Sequence, residues 1–309
     1  MSSLPTDTFT DADLNVYFPE IWANRINDFY RARLQLGAFF LDLSDDFSMG
    51  GDVLNIPSLT EMSANTKTTA TAVTLNSPTE TDVNLTVNTW KEVSFVIEDF
   101  QAAKLKKSYN LKERYAKNAA YTAAGVYEDA LITLIGAFSN TVGSSTTVLL
   151  DSNIRAAINY LEVADVDMSD VAFFFHPSVI NTQLLNIDKY VDFDFTTARP
   201  VDGGGLSTRT TTGEVSSYGL KPRGQLYGIP VYASTRLDYV SGTTGRIGCL
   251  AHPEAIVHAS ITPNANSSMK VRVQEQYLQT YLGTLVTADI MFGVIENRDA
   301  AGVTIYSKE

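Results

Sequence analysis

The chain has 309 residues, of which 44% are hydrophobic and 19% charged, so it can bury a sizeable core as one large domain or two subdomains. Its formal net charge of −12 argues against a nucleic-acid-binding protein, because phosphate contacts need clustered lysine and arginine. The single cysteine, Cys249, excludes an intrachain disulfide framework, and its apolar neighbours predict a small buried side chain. The N-terminal residues have no signal-peptide pattern and no segment suits a bilayer, so we expect synthesis in a reducing cytoplasm.

The first fifty residues combine an acidic start with a helical segment. Residues 1–18 show no periodicity, and we expect them to be extended. Pro19 suits the first turn of a helix, and the apolar residues after it recur at helical spacing. The largest of them are Trp22, Phe29 and Tyr30. Two interpretations stay open: another subunit buries these side chains, or the helix packs on its own domain.

Residues 50–90 have the composition of an extended ribbon. Ten of the thirty residues 60–89 are threonine and four are charged, which favours β-structure. Ser77-Pro78 predicts a turn between two runs in which apolar and polar side chains alternate. The apolar members of the runs are Val73 and Leu75, then Val83, Leu85 and Val87. Because a hairpin with one thin apolar stripe is marginally stable in water, we expect the ribbon to lie on another subunit.

A strand over residues 93–99 is followed by a long amphipathic helix over residues 110–138. Asn110 and Glu113 have the spacing of a capping box. Apolar and small residues recur at steps of three and four and predict the buried stripe: Leu111, Tyr115, Ala119, Ala123, Val126, Ala130 and Leu134, broadened by Tyr127, Leu131, Ile135 and Phe138. Glu128 and Asp129 lie on the flank, where we expect solvated charges.

The rest of the chain alternates short helices with strands. Asp151 is predicted to cap a helix, and Pro177 and Pro253 are each predicted to open one. Residues 188–222 contain Gly203-Gly204-Gly205 and few helix signals, which is typical of a long surface loop. Strands are predicted over residues 171–175, 225–233 and 246–251, and again from residue 270 to residue 294.

No group of residues predicts an active site. The glycine triplet lacks the G-K-[S/T] of a phosphate loop, and no G-x-S-x-G motif surrounds Ser178. His252 and His258 are six residues apart and fall on different faces of a helix, so structural roles are favoured over a metal site. We therefore expect no catalytic, metal or cofactor-binding residues.

Taken in order, these elements resemble the major capsid proteins of tailed bacteriophages, which have the HK97-like fold. The matching pieces are residues 50–57 at the entry to the ribbon, residues 93–99 at its exit, the long helix, the segment 173–178, and the G-x-x-x-G-I-P-V pattern of residues 224–231. The resemblance covers about residues 50–295, and the order and spacing of the motifs carry it.

The resemblance implies an α+β fold with an N-terminal arm, an extended β-hairpin (the E-loop), a peripheral P-domain with a long spine helix, and a central A-domain. The implied boundaries are 1–48 for the arm, 49–92 for the E-loop, 93–149 for the P-domain, 150–265 for the A-domain and 266–309 for the return to the P-domain. The implied contacts between subunits involve Trp22, Phe29, Tyr30, Lys67, Val73, Leu75, Val83 and Leu85.

The function implied is structural and not enzymatic. Hexamers and pentamers would tile an icosahedral phage head that encloses double-stranded DNA without binding it specifically. Because about fifty residues precede the ribbon, too few for a scaffolding extension, we expect a separate scaffolding protein and a portal. An encapsulin-type bacterial compartment has the same fold and stays open as an alternative, and a hydrolase or binding protein built on residues 150–260 is the least favoured.

Some members of the family join their subunits by an isopeptide bond between a lysine on the E-loop and an asparagine. Lys67 is the only lysine between Asn55 and Trp90. Its polar neighbours Asn65, Thr66, Thr68 and Thr69 favour a solvated lysine, so we expect non-covalent shells.

Overall fold

The computed structural model describes residues 34–49, 51–77, 79–104, 111–187, 222–237, 245–263 and 270–309. The strands are β1 (Leu41–Asp42), β2 (Val53–Leu59), β3 (Glu80–Thr86), β4 (Thr89–Glu98), β5 (Thr141–Gly143), β6 (Ala172–Phe175), β7 (Gly224–Leu226), β8 (Ile229–Ala233), β9 (Gly245–Ala251), β10 (Ile256–Ser260), β11 (Arg272–Leu278), β12 (Gly283–Glu296) and β13 (Gly302–Lys308). The α-helices are α1 (Leu36–Phe39), α2 (Asp99–Lys104), α3 (Leu111–Ile135), α4 (Asp151–Val163) and α5 (Pro177–Thr182). The prediction of an α+β fold is confirmed.

The first sheet is organised around β12, its longest strand. β4 pairs antiparallel with β12 over all ten of its residues, from Thr89 opposite Phe292 to Glu98 opposite Gly283. β11 and β10 pair with successive parts of the opposite edge of β12, and β1 adds to β10 in parallel. Because side chains alternate across a strand, Val93 and Phe95 of β4 reach the core while their neighbours face outward.

The long predicted helix is α3, and it packs against this sheet. Its fully buried residues are Ala119, Ala123, Ala124, Gly125, Tyr127, Glu128, Leu131 and Ile135. The predicted stripe is therefore rotated: Val126, Ala130 and Leu134 are only half-buried, and Tyr115 is exposed. Small residues at 119, 123 and 124 let the sheet approach closely, since a bulkier side chain would hold it away. The predicted cap at Asn110 lies outside the described residues.

The second sheet has six strands in the order β5-β13-β9-β6-β8-β7. All four residues of β6 are buried because elements cover both faces of the sheet. Phe174 joins the cluster that surrounds α3, whereas Phe173 and Phe175 join a separate cluster against α4. Cys249 of β9 is also fully buried, as predicted.

The two sheets do not follow the predicted boundaries at 150–265 and 266–309. β10 lies in the first sheet although its residues fall within 150–265, and β13 lies in the second sheet although it falls within 266–309. The chain crosses from the second sheet to the first between β9 and β10, and returns to the second sheet between β12 and β13. Pairing between strands far apart in the chain decides which sheet each strand joins, and no local pattern in the sequence predicts it.

Two local predictions need correction. Pro253 opens only a 3₁₀ turn, Pro253–Ala255, and the β-branched Ile256 and Val257 begin β10 instead of continuing a helix. Helix α4 begins at Asp151, but its N-cap is Leu150, without a side-chain cap. The Asp151 carboxylate instead accepts hydrogen bonds from Arg155 (2.9 Å) and from the Tyr227 hydroxyl.

Among the helices of the described residues, none is long and apolar enough to cross a membrane. The predicted surface loop over residues 188–222 falls almost entirely outside the described part of the chain.

Candidate assembly surfaces

The root of the predicted ribbon is a two-stranded antiparallel sheet of β2 and β3, with Val53 opposite Thr86 and Leu59 opposite Glu80. Leu54 pairs with Leu85, and Ile56 with Val83, which places these four side chains on one face. Leu54, Ile56 and Leu85 pack with Val257 of β10. The root of the ribbon is therefore fastened to its own subunit.

The burial of Leu85 corrects one predicted contact between subunits. Its side chain is 0% exposed, in a cluster with Phe47, Val257 and Ala259. A side chain already enclosed by its own chain has no apolar surface left for a neighbour, so Leu85 is removed from the predicted set. Val83, beside it on β3, is half-buried.

Residues 60–79 form the tip of the ribbon, and their described part contains no strand or helix. Every described residue from 57 to 77 is exposed. Four large apolar side chains protrude here and at the end of β2: Leu59 (80% exposed), Met62 (63%), Val73 (67%) and Leu75 (86%). Polar contacts cross between the two halves of the tip, with Thr60 Oγ1 donating to Thr79 O at 2.6 Å and Asn65 Nδ2 to Asn76 Oδ1 at 2.7 Å.

The predicted pairing within the ribbon is wrong. The run that contains Val73 and Leu75 is not a strand, and β3 pairs with β2 rather than with that run. Leu54 and Ile56 of β2 pair with Leu85 and Val83 of β3, and the apolar face that they complete packs against β10. Pro78 of the predicted turn lies outside the described residues.

Lys67 lies at the tip and is held by the tip itself. Its ammonium donates to the carbonyl oxygens of Thr68 (2.8 Å) and Thr71, and lies 3.3 Å from the Thr71 hydroxyl. These contacts are all exposed. The predicted contact residues Trp22, Phe29 and Tyr30 lie outside the described part of the chain.

A second group of exposed apolar side chains lies at the end of the first sheet where β4 meets α2. We call it the distal patch, and its members are Phe100, Tyr115, Tyr277, Tyr281 and Leu282, each between 48% and 71% exposed. Asp99 connects part of it, because its N–H donates to Leu282 O at 2.8 Å and its carboxylate accepts from the Tyr277 hydroxyl at 2.6 Å. Sequence reasoning missed this patch, since its residues come from separate strands and helices.

The three histidines have structural positions. His176 and His252 each precede a helical turn and accept a backbone N–H through Nδ1, from Ser178 at 3.2 Å and Glu254 at 3.3 Å. His258 is buried and its Nδ1 bonds the Tyr127 hydroxyl. Burial lowers the pKa of His258 to about 4, against the opposing charge of Asp42. Within the described ranges, no cluster of three His, Cys, Asp or Glu side chains could hold a metal ion.

An open cleft of about 720 Å³ separates the ribbon root from the turn between β12 and β13. Acidic residues dominate its lining, among them Asp165, Asp167, Glu254 and Asp299. Glu296, at the end of β12, shares a hydrogen bond with Asp299, whose Oδ1 also accepts the Ser139 N–H at 2.8 Å. Burial, that hydrogen bond and the charge of Asp299 together raise the pKa of Glu296 to about 7.

This carboxyl pair predicts a dependence of stability on pH near neutrality. A carboxyl whose pKa is raised in the folded state contributes stability that is complete below its ordinary pKa and is lost as the pH rises through the folded value. The low pKa of His258 acts in the opposite sense below about pH 6.5, so the contribution of Glu296 is measured as a difference between two proteins. We expect the free energy of unfolding of the wild type to fall relative to that of Glu296→Gln, which cannot ionise, as the pH rises from 5 to 8. Urea unfolding of both proteins across this range measures the difference, and the same pH profile in both would contradict the assignment.

Glu128 is the residue whose setting differs most from the sequence-based expectation. Instead of being solvated, its side chain is 1% exposed and accepts three backbone N–H groups from residues 35–37. Its neighbour Asp129 is exposed, as expected, and pairs with Arg236. Helical spacing could have predicted the burial of Glu128, because position 128 follows Ala124 by four residues and precedes Leu131 by three. Both of these residues lie on the buried face.

The chain is similar to known proteins in structure, but it matches no known sequence family. No protein-family model matches the chain, and no curated protein matches it. Solved phage structures match over nearly the whole chain. The capsid structure of the cyanophage P-SCSP1u has a TM-score of 0.71 at 13% identity and covers 98% of this chain and 96% of its own.

Two further solved structures show the same similarity. The structure from Mycobacterium phage Che8 has a TM-score of 0.68 at 16% identity over 94% of this chain and 97% of its own. The mature capsid of bacteriophage PhiM1 has a TM-score of 0.66 at 13% identity over 93% and 91%. The resemblance to phage major capsid proteins is thus confirmed at the level of the fold, and the chain has the fold of a bacteriophage capsid protein.

Proposed function

We propose that the protein is the major capsid protein of a tailed bacteriophage. In this proposal copies of the chain assemble into hexamers and pentamers, and these capsomers tile an icosahedral head around double-stranded DNA. The role is structural and not enzymatic. A separate scaffolding protein and a portal complete the assembly, which takes place in the host cytoplasm, and the head then becomes part of the virion.

The exposed apolar tip of the ribbon is the observation that carries the proposal. Leu59, Met62, Val73 and Leu75 present large apolar side chains that the described part of their own subunit does not cover. Burying one such side chain contributes about 1.5–3 kcal/mol, so a neighbour that covers all four gains substantially. The ribbon then serves as an E-loop, with a root fastened to its own subunit and a tip that lies on another.

The distal patch is our proposed receiving surface for the tip. It offers aromatic side chains at 48–71% exposure, and aromatic residues supply much of the contact energy at protein interfaces. Head-to-tail contacts between two different surfaces of identical subunits form rings when the rotation from one subunit to the next closes. The tip and the distal patch are such a pair of surfaces.

The net charge of −12 supports an enclosing role toward DNA. A lining that repels phosphate allows DNA to be pumped in and ejected without being held, since attachment would need clustered cations. The similarity to phage capsids favours a phage head over the encapsulin-type compartment, which remains the alternative outcome of the test.

Electron microscopy of the purified protein, alone and together with a candidate scaffolding protein, tests the proposal. We expect rings of five and six subunits and closed shells. Particles recovered from infected cells should contain double-stranded DNA. Particles filled with a cargo enzyme would favour the compartment, and a monomer that never assembles would contradict both.

The contacts of Lys67 predict that the shell is held without covalent cross-links. Isopeptide formation needs a lysine amine that is free to attack an asparagine of a neighbouring subunit, whereas the Lys67 ammonium is bonded to Thr68 and Thr71 of its own tip. Boiling mature particles in detergent should release one band at the 33.8 kDa chain mass. A ladder of larger species that disappears in Lys67→Ala particles would overturn the prediction.

A further inference from the structure

One turn of helix α3 holds three separate segments of the chain. We call residues 125–129 the junction turn. Glu128 binds the backbone of residues 35–37, Tyr127 bonds His258 of the first sheet, and Asp129 binds Arg236, which follows β8 of the second sheet. The start of the described chain and both sheets therefore meet at five consecutive residues.

The contact made by Glu128 is a carboxylate enclosed by backbone donors. Its Oε1 accepts the N–H groups of Gln35 (2.7 Å) and Leu36 (2.9 Å), and its Oε2 accepts that of Gly37 (3.3 Å). Hydrogen bonds to an ionised acceptor are about twice as strong as neutral ones. Burial raises the pKa of Glu128, and the three N–H groups oppose that shift because they favour the charged form.

Two glycines allow these segments to approach the helix. A Cβ on Gly37 would lie 3.0 Å from Cε1 of Tyr127, closer than carbon atoms normally pack. A Cβ on Gly125 would lie 3.0 Å from Nη1 of Arg236, whose guanidinium donates to the Gly125 carbonyl at 3.0 Å. The close fit on both sides indicates that the junction turn fixes its partners in position.

The far end of the segment bound by Glu128 is held separately. Beyond α1, strand β1 pairs with β10, and Leu43 N donates to His258 O at 2.9 Å. Lys270 bonds both Asp42 and the Ser44 hydroxyl, the latter at 2.7 Å. The 3₁₀ helix Ser44–Met49 then leads to β2 at the root of the ribbon. Residues 34–49 thus connect residues 1–33 to the ribbon and are attached at both ends.

We propose that Glu128 is a positioning residue: its carboxylate fixes residues 35–37 on α3, and this attachment is needed for copies of the chain to form shells of one size. The second part, uniform assembly, rests on the proposed capsid function. The first part concerns the isolated subunit alone and does not depend on it. The attachment couples residues 35–37 to the same helical turn that holds both sheets.

Hydrogen exchange on the unassembled subunit tests the first part. In Glu128→Gln one amide oxygen remains as acceptor, but the amide NH₂ opposes the remaining backbone donor. We expect exchange in a peptide covering residues 34–40 to be about tenfold faster or more, with no change in β12. Gly37→Ala, which crowds Tyr127 and leaves the carboxylate intact, should give the same local increase. Glu162→Gln makes the same substitution at an exposed site of α4, outside the junction turn, and is the matched control that should leave this peptide unchanged.

Two results would overturn the first part: unchanged exchange at residues 34–40 in Glu128→Gln, or an equal increase throughout the subunit, which would indicate a general loss of stability. Assembly tests the second part. We expect the wild type and Glu162→Gln to form shells of one size and Glu128→Gln to form irregular ones. Uniform Glu128→Gln shells would overturn the link to assembly. A wild-type protein that forms no shells would contradict the proposed function and leave the exchange result standing.

Discussion

Deletion of residues 60–79, closed by a short glycine linker between β2 and β3, is expected to abolish shell formation while the subunit stays folded. Every described residue from 60 to 77 is exposed, and the tip carries Met62, Val73 and Leu75, each at least 63% exposed. For each of these side chains, the deletion removes about 1.5–3 kcal/mol of favourable burial free energy at every contact with a neighbour. Because contacts of this kind repeat across a lattice, their loss multiplies.

The deletion must stop at residue 79. Leu85 of β3 is fully buried against Phe47, Val257 and Ala259, and its removal would open the core of the subunit itself. Electron microscopy and circular dichroism together measure the outcome. If the shortened chain still forms closed shells, or if it unfolds, the tip is not the assembly surface.

Point substitutions make the same test without changing the length of the loop. The variant with serine at Leu59, Met62, Val73 and Leu75 should fail to assemble. A control with serine at Thr66, Thr69 and Thr74 retains the apolar side chains and should form shells like the wild type.

Replacement of Phe174 by alanine is expected to lower the free energy of unfolding by about 3–5 kcal/mol, the usual cost of removing a buried aromatic side chain. The Phe174 ring is fully buried, 4.9 Å from the Phe39 ring and 5.2 Å from that of Tyr232. It therefore links the start of the described chain to the second sheet. Urea unfolding monitored by circular dichroism measures the change.

Phe100→Ala is the matched control for this substitution. Its ring is 71% exposed and lies under the ammonium of Lys104, so its loss should change stability by less than about 0.5 kcal/mol. Similar values for Phe100→Ala and Phe174→Ala would mean that β6 is not the buried centre of the fold.

The sequence predicted those parts of the fold that depend on local pattern. Helical spacing identified α3 within three residues at its C-terminal end, and the uninterrupted apolar run at residues 171–175 identified β6 as buried. The proline at position 177 correctly marked the start of α5. In α3 and β6 one sequence pattern extends over enough residues to fix the local structure. At the start of α5 a single rigid residue, Pro177, is sufficient.

Local pattern failed where the local sequence suited more than one conformation or strand partner. The alternation at Val73 and Leu75 is that of a strand, yet β2 is the partner of β3 because Leu54 and Ile56 complete an apolar face with Leu85. Ile256 and Val257 suit a strand or a helix, and pairing with β12 made them a strand. Contacts far away in sequence selected one state in both segments.

By itself the sequence determined the long helix, a ribbon rich in threonine and an acidic chain without a disulfide framework, because composition and periodicity act within short stretches. The fold class came from the order of the elements and its resemblance to phage capsid proteins. The tertiary structure decided which side chains remain exposed for assembly and which are enclosed. It buried Leu85 and Glu128, left Leu75 at the tip uncovered, and gathered the distal patch from separate elements. Burial is a property of the whole packed chain: the free energy of a side chain depends on neighbours brought close by folding, and the order of residues alone does not specify those neighbours.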